Sequence, residues 1–206
     1  MSLAGDLASL DRDDEPAVDH FVHLRATWSD YARLRRMRGD GSVPRLAYNR
    51  GVLEIMSPSQ EHELITSWIG RLVEAWCEER DVEISALRSW TLKRKKDETG
   101  VEPDECYVLG PTSKKSRPDL AIEVIWTSGG IDKRVLYHRF KVRELWFWRR
   151  GRIRVFAYRA RGYEEVATSE ALHGIDLPQL ASFLDRPTMT KAVRAYRAAL
   201  RSKPRR

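Results

Sequence analysis

The segment that most restricts the fold runs over residues 61–80, where Leu64, Ile65, Trp68, Leu72, Val73 and Trp76 recur at steps of three and four. This spacing predicts one long amphipathic helix, whose apolar stripe has to be covered by another layer. Three strand-like segments follow, over residues 83–92, 102–109 and 119–126, separated by the polar runs 93–100 and 110–116. They read as consecutive strands of one sheet. Gly129-Gly130 breaks the chain before a second helix over 132–141, and the apolar strand 144–148 turns at Arg150-Gly151 into 153–158. Upstream, Thr27-Trp28-Ser29-Asp30 has the look of a capped helix start, ended by Gly39 and Gly41. Residues 45–48 and 52–56 flank Asn49-Arg50-Gly51 as a hairpin, and Ser57-Pro58-Ser59 punctuates the start of the long helix. Helix, three strands, helix and strands in that order is an α/β layer fold.

Charge divides the chain. Residues 1–19 carry six acids against Arg12, a net of −5, so the formal total of +7 leaves +12 on residues 20–206. Residues 1–20 read as a flexible acidic arm, 21–190 as one domain, and 191–206 as a basic, partly helical tail with no acid in it. A surplus of positive charge on a folded domain attracts polyanions, and nucleic acid is the commonest polyanion inside a cell. No apolar run approaches the roughly 18 residues of a membrane span, and the start has neither the basic stretch nor the apolar block of a secretory signal. Only Cys77 and Cys106 are present, without CxxC spacing, so neither a disulfide framework nor a zinc site is indicated. These features lead us to expect a cytoplasmic protein without a membrane anchor.

The strand over 119–126 carries an anomaly. Leu120, Ile122, Val124 and Trp126 share one face while Asp119, Ala121, Glu123 and Ile125 share the other, which puts a carboxylate in the middle of an apolar strand. Taken alone, that is the pattern of a sheet with one wet face. The alternative is a carboxylate held as a metal ligand, because buried charge persists mainly when paired or coordinated. Glu102-Pro103-Asp104 places a second carboxylate at the start of the neighbouring strand, and adjacent strands lie about 4.8 Å apart. Two carboxylates so placed can chelate one hard cation such as magnesium. Asp119 is four residues from Glu123 along one strand, about 13 Å away, too far to share a ligand; Asp104 is the better partner.

These residues form a recognisable set: Pro103-Asp104, then Pro118-Asp119-Leu120-Ala121-Ile122-Glu123-Val124, Lys133 with Tyr137 four residues on, and Val142-Arg143-Glu144-Leu145-Trp146. With Gly51 to Met56-Ser57-Pro58 and Glu61-His62, the pattern over residues 28–185 resembles the Uma-two family, classed with restriction endonucleases of the PD-(D/E)XK nuclease superfamily. The resemblance implies a restriction-endonuclease-like mixed central sheet flanked by helices. It also implies a metal-dependent endonuclease hydrolysing DNA, with Mg2+ as cofactor and Mn2+ as its substitute. Asp104 and Glu123 match the metal-ligand positions. The lysine expected two residues after Glu123 is Ile125 here, and Lys133 takes its place from the following helix. Glu61 and His62 match a polar pair that completes the metal site or positions the water. Arg143 and the 126–130 loop depart from the family pattern. One site per chain would favour a homodimer for cutting both strands. The Ile125 substitution keeps open a second reading, a non-cleaving nucleic-acid-binding module with a nuclease-like fold.

For several of these residues the plain readings are a helix-surface lysine at 133, a capping or surface histidine at 62 and a solvated loop at 93–96. The tryptophans at 76, 90, 146 and 148 read as core.

Overall fold

Two sheets, packed with five helices, account for the fold. The computed structural model describes residues 18–88, 90–125 and 130–202. In chain order these form β1 (His20–Arg25), α1 (Trp28–Arg38), β2 (Arg45–Asn49), β3 (Val52–Ser57), α2 (Gln60–Arg80), β4 (Ile84–Ala86), β5 (Leu92–Arg94) and β6 (Thr99–Val101). They continue with β7 (Glu105–Leu109), β8 (Leu120–Val124), α3 (Lys133–Phe140), β9 (Glu144–Arg149), β10 (Arg152–Arg159), β11 (Gly162–Val166), α4 (Leu177–Ala181) and α5 (Met189–Ser202).

One sheet has the order β11-β10-β9-β8-β7-β4 and is mixed: β8 and β9 run parallel, with α3 as their crossover, and the other pairs are antiparallel. The second sheet, β1-β3-β2-β6-β5, is antiparallel throughout. The mixed sheet is the expected central sheet with helices against it.

Local chemistry starts and stops the elements as the sequence predicts. The Thr27 side chain accepts from the Asp30 amide at 3.2 Å while the Asp30 carboxylate accepts from the Thr27 amide at 2.8 Å, a capping box that opens α1. The Ser59 hydroxyl accepts from the His62 amide and opens α2. Both two-residue hairpins, Arg50-Gly51 and Arg150-Gly151, have positive φ at both central residues, a turn whose twist matches the strands it joins.

The tension over β8 is resolved by burial on both sides. Leu120, Ile122 and Val124 pack with Leu72 and Trp76 of α2, Trp146 and Trp148 of β9, and Tyr196 and Leu200 of α5. Ala121, on the opposite face, packs with Leu136, Tyr137 and Phe140 of α3. Glu123 does not lie on an open solvated face of the sheet among the described residues, and it is only 4 % exposed.

Three expectations need correction. Residues 83–92 are two strands rather than one: β4 joins the mixed sheet, the chain turns through Arg88 at φ 49°, and β5 enters the other sheet. The 93–100 run, expected as a loop, closes the β5–β6 hairpin, with Arg94 stacked over Phe140 at 5.3 Å. The arm was expected to reach residue 20, yet Asp19 is buried and His20 begins β1; residues 1–17 lie outside the described part, as do residues 126–129 of the departing loop. The expected helical part of the basic tail is α5, whose Ala192, Tyr196 and Leu200 are buried, while Arg197 and Arg201 pair with Glu78 and Glu79 of α2. Those two guanidiniums are committed to holding the helix in place. Among the described residues no helix is long and apolar enough to cross a membrane.

Candidate active site

The register of β7 on β8 aligns Glu105 with Ile122 and Cys106 with Ala121. One step further, Asp104 lies across from Glu123. The Asp104 carboxylate accepts from the Val124 amide at 2.7 Å, so its side chain extends the ladder where its own backbone leaves it. Its other oxygen lies 3.2 Å from Arg45 Nε. His62, in the first turn of α2, reaches Asp104 through Nε2 at 3.0 Å and Asp19 through Nδ1 at 2.8 Å. Asp19 is in turn anchored by the Ser59 amide at 2.8 Å.

Electrostatics follow from this packing. Burial alone would raise the Asp104 pKa, but Arg45 and His62 outweigh it and hold the carboxyl well below the usual range. Burial would lower His62, and the carboxylates of Asp104 and Asp19 outweigh that and push it up to about 9. His62 is therefore a cation clamped between two carboxylates.

Glu123 has a different balance. Burial raises its pKa to about 7 against the pull of Lys133, whose ammonium is 3.8 Å from Oε2, and the Tyr137 hydroxyl donates to Oε1. Lys133 stands at the N-terminus of α3, started by the Asp132 cap. Its ammonium also lies 3.7 Å from Glu54. Burial opposes the charged lysine, but Glu123 and Glu54 keep its pKa raised.

Glu54 is the residue that the sequence reading missed. It sits in β3, 2 % exposed, and accepts from the Ile131 amide at 2.8 Å while pairing with His23 at 2.9 Å. A side chain at position 130 would bring Cβ to 2.5 Å from the Glu54 carboxylate, so any larger residue there would have to displace that carboxylate. The signal was available: a lone carboxylate between Leu53 and Ile55 in an apolar strand is the same pattern that singled out Glu123.

Asp104, Glu123, Lys133, Glu54 and Arg45 line one cavity of about 260 Å³, whose other walls include Phe21, Met56, Ile125, Phe147 and Phe156. Of the residues singled out from sequence, Asp104, Glu123 and Lys133 meet in this cavity and His62 supports it from behind. Glu61 does not join them. It is exposed on α2, and Glu63, two residues on and also exposed, is the acid that reaches Arg45 at 2.7 Å. Asp119 is likewise apart, accepting from the Leu109 amide and from Lys115. Arg45, Tyr137 and Asp19 complete the site's framework.

Among the described residues no three His, Cys, Asp or Glu form a ready-made metal cage. The available donor set is carboxylate oxygen only, on two facing strands, with Glu123 short of compensating charge. That suits a hard divalent cation that keeps water and substrate oxygens in its remaining positions.

No curated protein matches the chain. The chain is similar to the crystal structure of a protein titled a "putative nuclease belonging to DUF820 from Anabaena variabilis ATCC 29413", at 16 % identity and a TM-score of 0.48, over 84 % of this chain and 99 % of that one. A family match spans residues 28–186, most of the sequence, and the chain therefore belongs to the Uma2 family, described as "Putative restriction endonuclease".

Proposed function

We propose that the protein is a metal-dependent endonuclease that hydrolyses phosphodiester bonds in DNA. The observation that carries this reading is the meeting of Asp104 and Glu123, from neighbouring strands, in one cavity with Lys133 3.8 Å from Glu123. Family membership supports the nuclease class.

Asp104 and Glu123 would hold the cation, Mg2+ with Mn2+ as substitute, which when bound lowers the pKa of a water and polarises the phosphate. Lys133 is placed to orient the attacking water or to offset charge that builds on the phosphate. Tyr137 fixes the Glu123 carboxylate, and Arg45 with the Asp19–His62 pair fixes Asp104, so both ligands are held before substrate arrives. Glu54 keeps Lys133 charged and centred. Cutting both strands from one site per chain would take two copies, a homodimer or successive binding.

A second reading, a nucleic-acid-binding module that does not cleave, is favoured by Ile125 in the place of the usual lysine and by the engagement of both Asp104 oxygens with protein donors. Incubation of the full chain with supercoiled plasmid and with single-stranded DNA, in Mg2+, Mn2+ or chelator, separates the two. Metal-dependent nicking that is lost in Asp104→Ala and Glu123→Ala is the expected result. Binding without nicking in either metal would replace the first reading by the second.

A further inference from the structure

The cavity is lined by five cationic side chains, and four of them are already paired. Arg45 holds Asp104 and Glu63, Lys133 sits between Glu54 and Glu123, Arg134 pairs with Asp132, and Arg154 pairs with Glu165. The fifth, Arg149, is exposed and has no hydrogen bond or ion pair among the described residues. It ends β9 at the tip of the hairpin to β10. Directly across the tip, in register, stands Arg152, also exposed and also without a partner among the described residues.

The register fixes where these two face. Glu123 aligns with Phe147, and Phe147 aligns with Arg154. Two residues further along the same faces come Ile125, Arg149 and Arg152. The pair therefore extends the face that carries Glu123, beyond the position where a lysine is replaced by Ile125. Like charges directly opposite on two strands repel, and the two-residue turn of Arg150 and Gly151, at φ 48° and 77°, keeps them in register. Acids neutralise Arg134 and Arg154 a few residues away, yet none among the described residues serves the tip. An anion between the guanidiniums would remove the repulsion, and phosphate matches their planar donor geometry.

We infer that Arg149 and Arg152 form a phosphate-binding site at the mouth of the cavity, which grips the DNA backbone beside the bond that is cut. The identity of the ligand rests on the nuclease reading; the binding site itself is tested separately from cleavage.

The test uses the full chain, a fluorescein-labelled duplex of about 20 base pairs and chelator to prevent cutting, with anisotropy read between roughly 50 and 300 mM salt. Each phosphate contact contributes about 0.9 to the slope of log affinity against log salt, so Arg149→Gln/Arg152→Gln should reduce the slope by about 1.8 and weaken binding about 60-fold at 0.1 M salt. Arg149→Lys/Arg152→Lys should recover most of the slope. Arg161→Gln, an exposed arginine at the β10–β11 turn outside the cavity lining, should leave it unchanged. An unchanged slope in the double glutamine variant, or an equal fall in Arg161→Gln, overturns the site. A wild type that binds DNA but does not nick it with metal removes the endonuclease reading while the slopes still decide the site. A wild type that does not bind DNA removes both.

Discussion

Glu54→Gln removes one charge and almost no volume from the cavity wall beside Lys133. In the wild type the carboxylate receives hydrogen bonds from the Ile131 amide and His23, and attracts the Lys133 ammonium 3.7 Å away. Hydrogen bonds to a charged acceptor contribute about 1.5–3 kcal/mol against about 1 kcal/mol for neutral ones, so two of them weaken by about 1–4 kcal/mol together. The Lys133 attraction is on the order of 4 kcal/mol before desolvation, at an effective dielectric of about 20. Much of that is returned because the amide needs no desolvated charge. A net loss of about 1–3 kcal/mol is expected, which for a chain of this size lowers the thermal midpoint by roughly 2–12 °C. Urea unfolding followed by the fluorescence of the seven tryptophans measures it directly. The companion variant is Glu61→Gln, exposed on α2, which should change stability by no more than about 0.5 kcal/mol. Nicking should fall in Glu54→Gln, because Lys133 is then held by Glu123 alone, and stay at the wild-type rate in Glu61→Gln. Equal effects of the two substitutions, in either assay, would refute the placement of Glu54 in the site and of Glu61 outside it.

Tyr137→Phe deletes the hydroxyl that donates to buried Glu123 and should cost about 1.5–3 kcal/mol in urea unfolding while lowering the nicking rate; a neutral result would mean that the contact is not made. Gly100→Ala would set Cβ 2.3 Å from the Tyr31 hydroxyl, and that ring is fully buried and stacked on Tyr48 at 5.4 Å, so it has nowhere to swing. A loss of at least about 1–3 kcal/mol is expected, and wild-type stability would show that α1 can shift freely. Glu79 is held down to about 2, first by its hydrogen bond with Arg201 and then by that with Arg197, against an ordinary value of 4.5. Its contribution to stability is thus present above pH 4.5 and lost as pH falls towards 2. Denaturation at stepwise lower pH should show a steeper acid loss for the wild type than for Glu79→Gln, and superimposable profiles would contradict the α2–α5 pairing.

Periodicity and caps made most of the framework readable. The long helix α2, the α1 capping box and both arginine-glycine hairpins are local events, decided by residues within a few positions of each other. Elements decided by distant partners were not readable. β1 exists because it pairs with β3 along its whole length, a partner that no local pattern announces. β5 and β6 are three residues each, in a run whose lysines look like a loop. The candidate site divides in the same way. Glu123 stood out because a carboxylate in an apolar strand contradicts its surroundings, Asp104 because it starts the neighbouring strand, and the family pattern added Lys133 and His62. Glu61 was misleading because its match was to a helix start, and the helical phase turns it to solvent. Arg45 and Asp19 carried no signal, since their meaning lies entirely in what folds against them.

The central claim is that Asp104 and Glu123 together hold one divalent cation. Calorimetric titration of the full chain with Mn2+, beside Asp104→Asn and Glu123→Gln, tests it without reference to cleavage. The account predicts one Mn2+ per wild-type chain and its loss in each variant, with the folded state retained by circular dichroism. Stoichiometric binding that survives both substitutions, or a wild type that binds no Mn2+ at all, would contradict it.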